Sequence, residues 1–316
     1  MPETTMPTRF IGCDVGKRTI TVFDSADGRT RTVQNNPEAL AALATTLDQH
    51  CFVICEATGG YEACLLAAMV QAKVLAHRAD ARKVKAFIRS FGILGKTDAI
   101  DARALACYGQ ERHARLARWQ APDAERERLQ ALVLTRRDLV AQRTAFRNRL
   151  AAPRSDIVKD YLETFLKNLD ALIAQIETDI ATIVQASTRL TKAVETLRTQ
   201  KGLGKLIAPS LIALMPELGT ISGKQAAALA SLAPHPVQSG NSDAYRRTKG
   251  GRPELKQILC LAAFTAIKHD AALKQVYQRL IANGKKPIVA ITAIMRKIIV
   301  IANARLRDLF ADPAYN

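Results

Sequence analysis

Two acidic side chains of this sequence lie in or directly after short apolar runs that predict buried β-strands. Asp14 lies in the segment IGCDVG, and Glu56 follows the segment CFVIC. An unpaired charge inside a buried strand is unfavourable, so each carboxylate needs a partner or a function. Taken singly, each is more typical of a strand-end cap or a salt-bridge partner than of a catalytic group.

A second pair of acids lies in the segment KTDAIDAR, which covers residues 96–103. Asp98 and Asp101 are spaced i, i+3, so on a helix both carboxylates project from one face. Two like charges there repel each other unless a cation lies between them. The alternative is an ordinary first helical turn, in which Asp98 caps the helix and Asp101 complements the helix dipole.

The four carboxylates together indicate a metal site if the fold brings them to one point. Ligands that are all oxygen favour Mg²⁺ or Mn²⁺ over zinc. Two such ions about 3.5–4 Å apart would align a nucleophile and a leaving oxygen on a phosphodiester. The set therefore predicts a metal-dependent phosphoryl-transfer site formed by Asp14, Glu56, Asp98 and Asp101.

The elements that must position these acids alternate in the first third of the chain. Short β-branched runs bounded by Gly or Asp turns, including Asp27-Gly28, predict strands. The stretches between them predict helices, the first of them opened by Asn35-Asn36-Pro37 as a cap with proline in the first turn. The predicted strands are 9–15, 19–24, 30–33, 51–55 and 73–77, and the predicted helices are 37–49, 61–71 and 79–91. The resulting order, βββαβαβα, is typical of a ribonuclease-H-like domain, although composition alone leaves other α/β folds open.

The next part of the chain has few glycines or prolines and a helical spacing of Leu and Ala. It predicts two long helices, 125–150 and 157–197, broken near Pro153. An antiparallel hairpin or coiled coil suited to self-association and a simple helical spacer are both open. The segment KGLGK that follows resembles a helix-hairpin-helix turn, whose glycines would let backbone amides approach a DNA phosphate. An ordinary turn between helices is the alternative.

Length and composition limit the class of protein. The chain has 316 residues, a formal charge of +17 and 48% hydrophobic residues, which fits about two globular domains rather than a disordered basic tail. No apolar run approaches the ~20 residues of a membrane-spanning helix, and the N-terminus lacks a signal-peptide pattern. Six scattered cysteines without CxxC pairs indicate reduced intracellular thiols and no zinc site.

Positive charge is concentrated in two stretches of the sequence. Residues 78–118 contain 10 Lys and Arg against 4 Asp and Glu, and residues 236–316 contain 14 against 5. Either stretch could be a solvated helix face. Because the two stretches flank the candidate chemistry, we interpret them as a path for a polynucleotide.

Five separated motifs resemble, in order and spacing, the DEDD transposases of the IS110 family of insertion sequences. They are IGCDVGK, ICEATGGYE, GKTDAIDARALA, the GLGK turn and SLAPHPVQSGN. The resemblance covers nearly the whole chain. It implies a ribonuclease-H-like (RuvC-like) domain at 1–120, a helical or coiled-coil spacer at 121–198 and a mainly helical transposase domain at 199–316. It also implies that the four acids bind the metal and that Ser239, in a Ser-Gly dipeptide after a Leu-x-Pro segment, is the catalytic serine.

The resemblance further implies a recombinase that cuts and rejoins DNA through a phosphoserine bond, guided by a noncoding bridge RNA that pairs with donor and target DNA. It implies a homo-oligomer, dimer or tetramer, with composite active sites, in the bacterial cytoplasm at the nucleoid and not on a membrane. The residues expected to contact nucleic acid are Lys96, Arg103, Gly202, Gly204, Lys205, Arg246, Arg247, Lys249 and Arg252. Two alternatives stay open: a Holliday-junction-type nuclease that uses the same acids with water, and a non-catalytic nucleic-acid-binding protein.

Overall fold

The computed structural model describes residues 6–92, 95, 97–121, 123–153, 155–235, 237–239, 242–244, 247–313 and 315, without the side chains of 237–239 and 242–244. The chain forms two compact units, Met1–Pro122 and Asp123–Asn316. They are called here the N-terminal unit and the C-terminal unit.

The N-terminal unit is built on a mixed five-stranded sheet with strand order β3-β2-β1-β4-β5. Its strands are β1 (Arg9–Val15), β2 (Thr19–Asp24), β3 (Thr30–Gln34), β4 (Cys51–Glu56) and β5 (Leu75–Ala79), and its helices are α1 (Pro37–Thr45), α2 (Ala63–Gln71), α3 (Ala81–Ser90) and α4 (Asp98–Arg112). β1, β2 and β3 pair antiparallel, whereas β1, β4 and β5 run parallel. The predicted order βββαβαβα is confirmed, and a further helix, α4, follows it.

Helices cover both faces of this sheet. One core contains Cys13 of β1 and Leu65 of α2, and a second core contains Phe87 of α3 and Leu105 of α4. The first five residues of β4 are all buried, as expected for a strand covered on both faces. The apolar run CFVIC therefore forms a buried strand, as predicted.

The ends of two elements show how local geometry sets their limits. α1 begins as predicted, because the Asn36 side chain accepts a hydrogen bond from the Ala39 amide (2.9 Å) and Pro37 occupies the first turn. β5 begins two residues later than predicted. Lys73, which follows α2, has a left-handed backbone conformation with φ of 59°, which is turn geometry rather than strand geometry.

The C-terminal unit is mostly helical. Its helices are α5 (Ala124–Leu150), α6 (Lys159–Ala186), α7 (Thr188–Arg198), α8 (Ile207–Leu214), α9 (Gly223–Leu229), α10 (Pro253–His269), α11 (Ala271–Ala282) and α12 (Pro287–Phe310), and its hairpin strands are β6 (Val237–Ser239) and β7 (Ser242–Ala244). Ion pairs join Arg136 to Glu177 and Arg143 to Asp170, which shows that α5 and α6 lie antiparallel. Coiled-coil packing of this hairpin stays a prediction.

The predicted helix 157–197 is divided into α6 and α7. Ser187 has an extended backbone, and its hydroxyl accepts a hydrogen bond from the Leu190 amide (3.5 Å), so it caps α7 directly after α6 ends. Apolar residues recur on both sides of the break, for example Val184 and Leu190. Periodicity alone could not reveal it.

A single core runs through the C-terminal unit and includes residues from the predicted spacer, such as Leu129 and Ile183, together with Leu211, Leu259 and Ile298. The division of this region into two domains stays a prediction. Among the described residues, α12 is long and apolar enough to cross a membrane by length and composition, and 44% of its apolar window is buried inside the protein.

Candidate active site

Asp14 and Glu56 lie at the carboxyl ends of the neighbouring parallel strands β1 and β4. The register pairs Cys13 with Cys55, so the residues that follow them are neighbours as well. Both cysteines belong to the core beneath α1 and α2. Because side chains alternate between the faces of a sheet, the two carboxylates point to the opposite face. Both are partly buried there.

α4 packs against that face of β1 at backbone contact. A Cβ atom placed on Gly12 would lie 1.9 Å from the Ala102 carbonyl oxygen and 2.6 Å from the Ala106 nitrogen. A Cβ on Gly109, further along α4, would lie 3.4 Å from the Phe10 ring. Phe10, early in β1, therefore lies near the later part of α4, and Gly12 lies near the earlier part. The helix consequently runs antiparallel to the strand.

The first turn of α4 consequently extends past Gly12 toward the end of β1 that carries Asp14. Asp98 and Asp101 lie in this turn, where Asp98 is exposed and Asp101 is partly buried. The N-cap is Thr97, whose hydroxyl accepts a hydrogen bond from the Ile100 amide (3.2 Å). Asp98 therefore does not cap the helix, but both acids lie in its first turn, so the alternative of an ordinary first turn keeps its dipole interaction for Asp101.

The structure thus places Asp14 and Glu56 at the carboxyl ends of neighbouring strands and directs the first turn of α4, which carries Asp98 and Asp101, toward them. The donor set of the four acids, all carboxylate oxygen, suits a hard divalent cation such as Mg²⁺ or Mn²⁺. Among the residues that the structure describes, no three His, Cys, Asp or Glu side chains lie close enough together to form a metal-binding group. The assignment of Asp14, Glu56, Asp98 and Asp101 as metal ligands stays a prediction.

Glu62 organises the loop that follows Glu56. Its Oε2 accepts hydrogen bonds from the Thr58 amide (3.1 Å), the Thr58 hydroxyl (3.0 Å) and the Gly60 amide (2.9 Å), and its Oε1 accepts one from Nε of Arg78 (2.6 Å). Burial opposes ionisation, yet these hydrogen bonds and Arg78 hold the pKa of Glu62 below its ordinary value. The motif ICEATGGYE contained this residue, but its role was missed.

Asn35 joins the loops that follow Asp14 and Glu56. Its Nδ2 donates hydrogen bonds to the carbonyl oxygens of Gly16 (2.9 Å) and Tyr61 (3.0 Å). The two loops that border the acidic edge are therefore held together by one side chain. The sequence carried no signal for this contact, because the Asn35-Asn36-Pro37 segment indicated only a helix start.

Replacing Glu62 by Gln should destabilise the protein by about 1–3 kcal/mol, because an amide cannot accept all these bonds or pair with Arg78; the lower end allows for the half-exposed Arg78. Urea unfolding would measure the loss. Because the pKa of Glu62 is lowered in the folded protein, the extra stability of wild type over Glu62→Gln is fully present above the unfolded Glu pKa of about 4.3. This extra stability is lost as the pH falls through the pKa of Glu62 in the folded protein. The exposed control Glu111→Gln should change stability little. An equal loss in both variants would contradict this role.

The two glycines of the GLG turn in the C-terminal unit have different surroundings. Gly202 has φ of 97°, and a Cβ there would lie 2.4 Å from the Ala262 carbonyl oxygen of α10, so this glycine permits close helix packing. A Cβ placed on Gly204 would meet no atom of the described residues within 4 Å, and Gly204 and Lys205 are exposed. Phosphate contact by this turn, and its helix-hairpin-helix character, stay predictions.

Gly202→Ala should destabilise the protein by about 2–4 kcal/mol, because the side chain would add backbone strain and a clash with a backbone oxygen. Gly204→Ala is the matched control and should cost less than about 1 kcal/mol. Thermal unfolding of both variants would measure the difference. Equal melting temperatures would show that Gly202 is not needed for packing.

The basic residues predicted to contact nucleic acid differ in their exposure to solvent and in whether the structure describes them. Arg247 and Lys249 are exposed, and the exposed Arg103 lies 5.6 Å above the Phe23 ring. Lys96 and Arg246 lie outside the described residues. Exposure leaves the described cations able to meet a phosphate, and their predicted contacts are untested.

Arg252 has a structural partner that the sequence did not reveal. Its guanidinium donates two hydrogen bonds to the Glu217 carboxylate (2.8 and 2.6 Å) and one to the Leu214 carbonyl oxygen (2.9 Å). Burial opposes ionisation of Glu217, but the hydrogen bond from Arg252 holds its pKa below the ordinary value. Arg252 thus ties the start of α10 to the end of α8, and its charge is matched within the protein.

The predicted catalytic serine lies in the β6–β7 hairpin. Ser239 ends β6 and pairs in register with Ser242 of β7. The Ser239 side chain and Gly240 lie outside the described residues, so the structure gives the backbone position of the serine only.

Comparison with known proteins yields matches to both units. An IS110-type DEDD transposase family model matches residues 11–153, and a model described as "Transposase IS116/IS110/IS902 family" matches residues 194–278. The first range contains the four acids and the second contains the GLG turn and Ser239. Pilin gene-inverting proteins of Moraxella lacunata and Moraxella bovis are each 28% identical to this chain, over 96% of it and 97% of the relative.

Two solved structures also align with about a third of the chain. Thermus thermophilus RuvC in complex with a Holliday junction substrate has 13% identity and a TM-score of 0.27, covering 35% of this chain and 99% of RuvC. A second Thermus thermophilus RuvC structure has 12% identity and a TM-score of 0.26, covering 35% and 100%.

Proposed function

Because this chain belongs to the IS110 family of DNA transposases, we propose that it is a site-specific recombinase that cuts and rejoins DNA strands through a phosphoserine intermediate at Ser239. Its family makes it a DNA transposase or recombinase enzyme. The observation that carries the proposal is the shared edge of the N-terminal unit, where Asp14 and Glu56 end neighbouring parallel strands and the first turn of α4 extends toward them. We assign this unit a ribonuclease-H-like catalytic role.

The serine step conserves the energy of the broken bond. The Ser239 hydroxyl gives its proton to a base as its oxygen attacks the scissile phosphorus and forms an O–P ester. The P–O bond to one side of the DNA strand breaks, and the departing oxygen keeps the electron pair and takes up a proton. A hydroxyl of another strand then attacks the ester and releases Ser239. Rejoining therefore needs no ATP, which suits recombination better than hydrolysis.

We assign Asp14, Glu56, Asp98 and Asp101 as the residues that would hold Mg²⁺ or Mn²⁺. When bound, such an ion supplies Lewis-acid stabilisation of charge on a phosphoryl oxygen. The carboxylates themselves concentrate negative charge at the sheet edge, so without a cation they would repel a DNA phosphate.

The proposed partners are donor DNA, target DNA and a noncoding bridge RNA that pairs with both. The basic stretches 78–118 and 236–316 support binding to phosphate backbones. With 5% aromatic residues, the chain has few platforms for base stacking, which agrees with recognition of RNA by shape and backbone. We place this activity in the bacterial cytoplasm at the nucleoid.

We also propose that the protein acts as a homo-oligomer, a dimer or a tetramer. Tyr161, Phe165 and Leu172 of α6 are 79%, 40% and 49% exposed, and their spacing places them on one side of the helix. An apolar stripe of this kind on a long helical hairpin supports self-association.

The test is a search for the covalent intermediate. The protein is incubated with element-end DNA, the flanking RNA and Mg²⁺, and the mixture is then denatured. A labelled DNA strand that stays attached to the protein supports the serine mechanism. Cleaved DNA without attached protein would instead favour a nuclease that uses water.

A further inference from the structure

A pocket of about 410 Å³ lies at the foot of the β6–β7 hairpin. This volume is at the lower end of the range for ligand sites, about 300–1,000 Å³, so it suits one small group rather than several. The pocket is formed by residues before and after the hairpin, by the first turn of α10 and by the first three turns of α12. Its described lining belongs entirely to the C-terminal unit.

Three cations converge on this pocket without a carboxylate to balance them. Arg247, Lys256 and Arg296 line it, and the described part of its lining contains no acidic residue. Within the described part of the chain, no carboxylate forms an ion pair with any of the three. Lys256 donates one hydrogen bond, from Nζ to the Thr248 hydroxyl (3.0 Å). An anion in the pocket would relieve the mutual repulsion of these charges.

The start of α12 adds to the positive potential of the pocket. Ile288 and Val289 lie in its first turn, and its N-cap residue Lys286 makes no side-chain cap hydrogen bond. The N-terminus of a long helix carries a partial positive charge. The pocket therefore combines a helix terminus with three cationic side chains, which together favour a phosphate group.

Part of the pocket lining is apolar. It includes Leu232, Ile288 and Val289, and Ile288 is 62% exposed. A ligand with an apolar face would gain free energy by covering this surface. A flat nucleobase would do so, since bases are bound by apolar contact as well as by hydrogen bonds.

The chain connects this pocket directly to the predicted nucleophile. Pro234 and Thr248, on either side of the hairpin, form a β-bridge, and the His235 amide donates a hydrogen bond to the Arg247 carbonyl oxygen (3.2 Å). Ser239 is five positions after Pro234, so their Cα atoms are at most about 18 Å apart even in a fully extended chain. A DNA strand at Ser239 can therefore reach the pocket within a few nucleotides.

We propose that this pocket holds one unpaired nucleotide of the DNA strand close to the scissile phosphate, with the phosphate on Arg247, Lys256 and Arg296 and the base against Ile288. This inference rests on the proposed function, because it takes the recombining DNA strand as the ligand. The pocket would fix the strand relative to Ser239 by removing one base from the stack.

The test places 2-aminopurine, whose fluorescence rises when it leaves the base stack, at each position in turn along the element-end DNA. With the full-length protein, we expect a severalfold rise at one position near the cleavage point. Ala293→Trp, which fills the pocket, should remove that rise. Arg296→Gln should weaken binding of a single-stranded oligonucleotide by about tenfold. Lys297→Gln, a matched control on the same helix outside the pocket lining, should weaken it less than twofold.

Two outcomes separate this inference from the recombinase proposal. If the covalent adduct forms but no position brightens, or Arg296→Gln and Lys297→Gln bind alike, the pocket inference is overturned and the recombinase proposal stands. If one position brightens and Ala293→Trp removes the signal while no adduct forms, the pocket inference is supported and the serine mechanism is overturned.

Discussion

Ser239→Ala should abolish the covalent protein–DNA adduct and slow strand exchange by at least about 10³-fold. Alanine has no side-chain oxygen to attack phosphorus, so no protein–DNA ester can form. Without this ester the energy of the broken phosphodiester bond is not conserved for rejoining. Binding of DNA and RNA should be unchanged, because one hydroxyl contributes little to a contact dominated by phosphate charge. Denaturing electrophoresis of labelled DNA measures the adduct.

The hairpin provides the matched control for this experiment. Ser242 pairs with Ser239 across β6 and β7, so Ser242→Ala makes the same chemical change on the strand next to the proposed nucleophile. It should form the adduct at nearly the wild-type rate. If Ser239→Ala still forms the adduct, or if the two variants lose it equally, Ser239 is not the nucleophile.

The sheet could be predicted because its signals are local. The apolar run of β4, the Asp27-Gly28 turn and the Asn36 cap with Pro37 each act within a few residues, and all three occur as expected. The placement of Asp14 next to Glu56 follows from the same logic, since both end parallel strands. Local pattern was therefore sufficient to bring two of the four acids to one edge.

Other features depend on contacts between distant parts of the chain, which one sequence does not display. Arg252 belongs to an exposed-looking basic segment, yet its partner Glu217 lies 35 residues away. The packing role of Gly202 depends on the Ala262 carbonyl oxygen of α10, 60 residues along the chain, which the GLG pattern does not indicate. The break at Ser187 is a local feature, but the sequence does not reveal it. Apolar residues continue with a helical period on both sides, and a capping serine there looks like any other serine.

Asp14→Asn and Asp101→Asn should each reduce DNA strand cleavage by at least about 10³-fold, a loss of about 4 kcal/mol of transition-state stabilisation. Each change keeps the size of the side chain and removes one negative charge from the acidic edge. The two residues lie on different elements, β1 and α4, so an equal effect in both would indicate a shared ion rather than local damage. Cleavage of labelled element-end DNA in Mg²⁺ measures the effect.

Glu111→Gln supplies the control on α4, because Glu111 lies at the opposite end of that helix from Asp98 and Asp101. It should cleave DNA at close to the wild-type rate. A readout independent of activity is the binding of Mn²⁺ alone, followed by its paramagnetic resonance signal. Affinity should fall about tenfold or more in the two Asp variants and stay unchanged in Glu111→Gln, because carboxylate charge sets the affinity of an oxygen-ligand site.

Nucleic-acid binding distinguishes a metal role from a simple charge effect. Removing a negative charge near DNA should, by itself, strengthen binding. An Asp variant that binds DNA as well as wild type or better, binds Mn²⁺ more weakly and does not cleave DNA has therefore lost a catalytic ion. Cleavage at the wild-type rate in either variant would remove that residue from the metal site. Unchanged Mn²⁺ affinity together with lost cleavage would instead make the carboxylate a direct participant in proton transfer, since the ion would then be held without it.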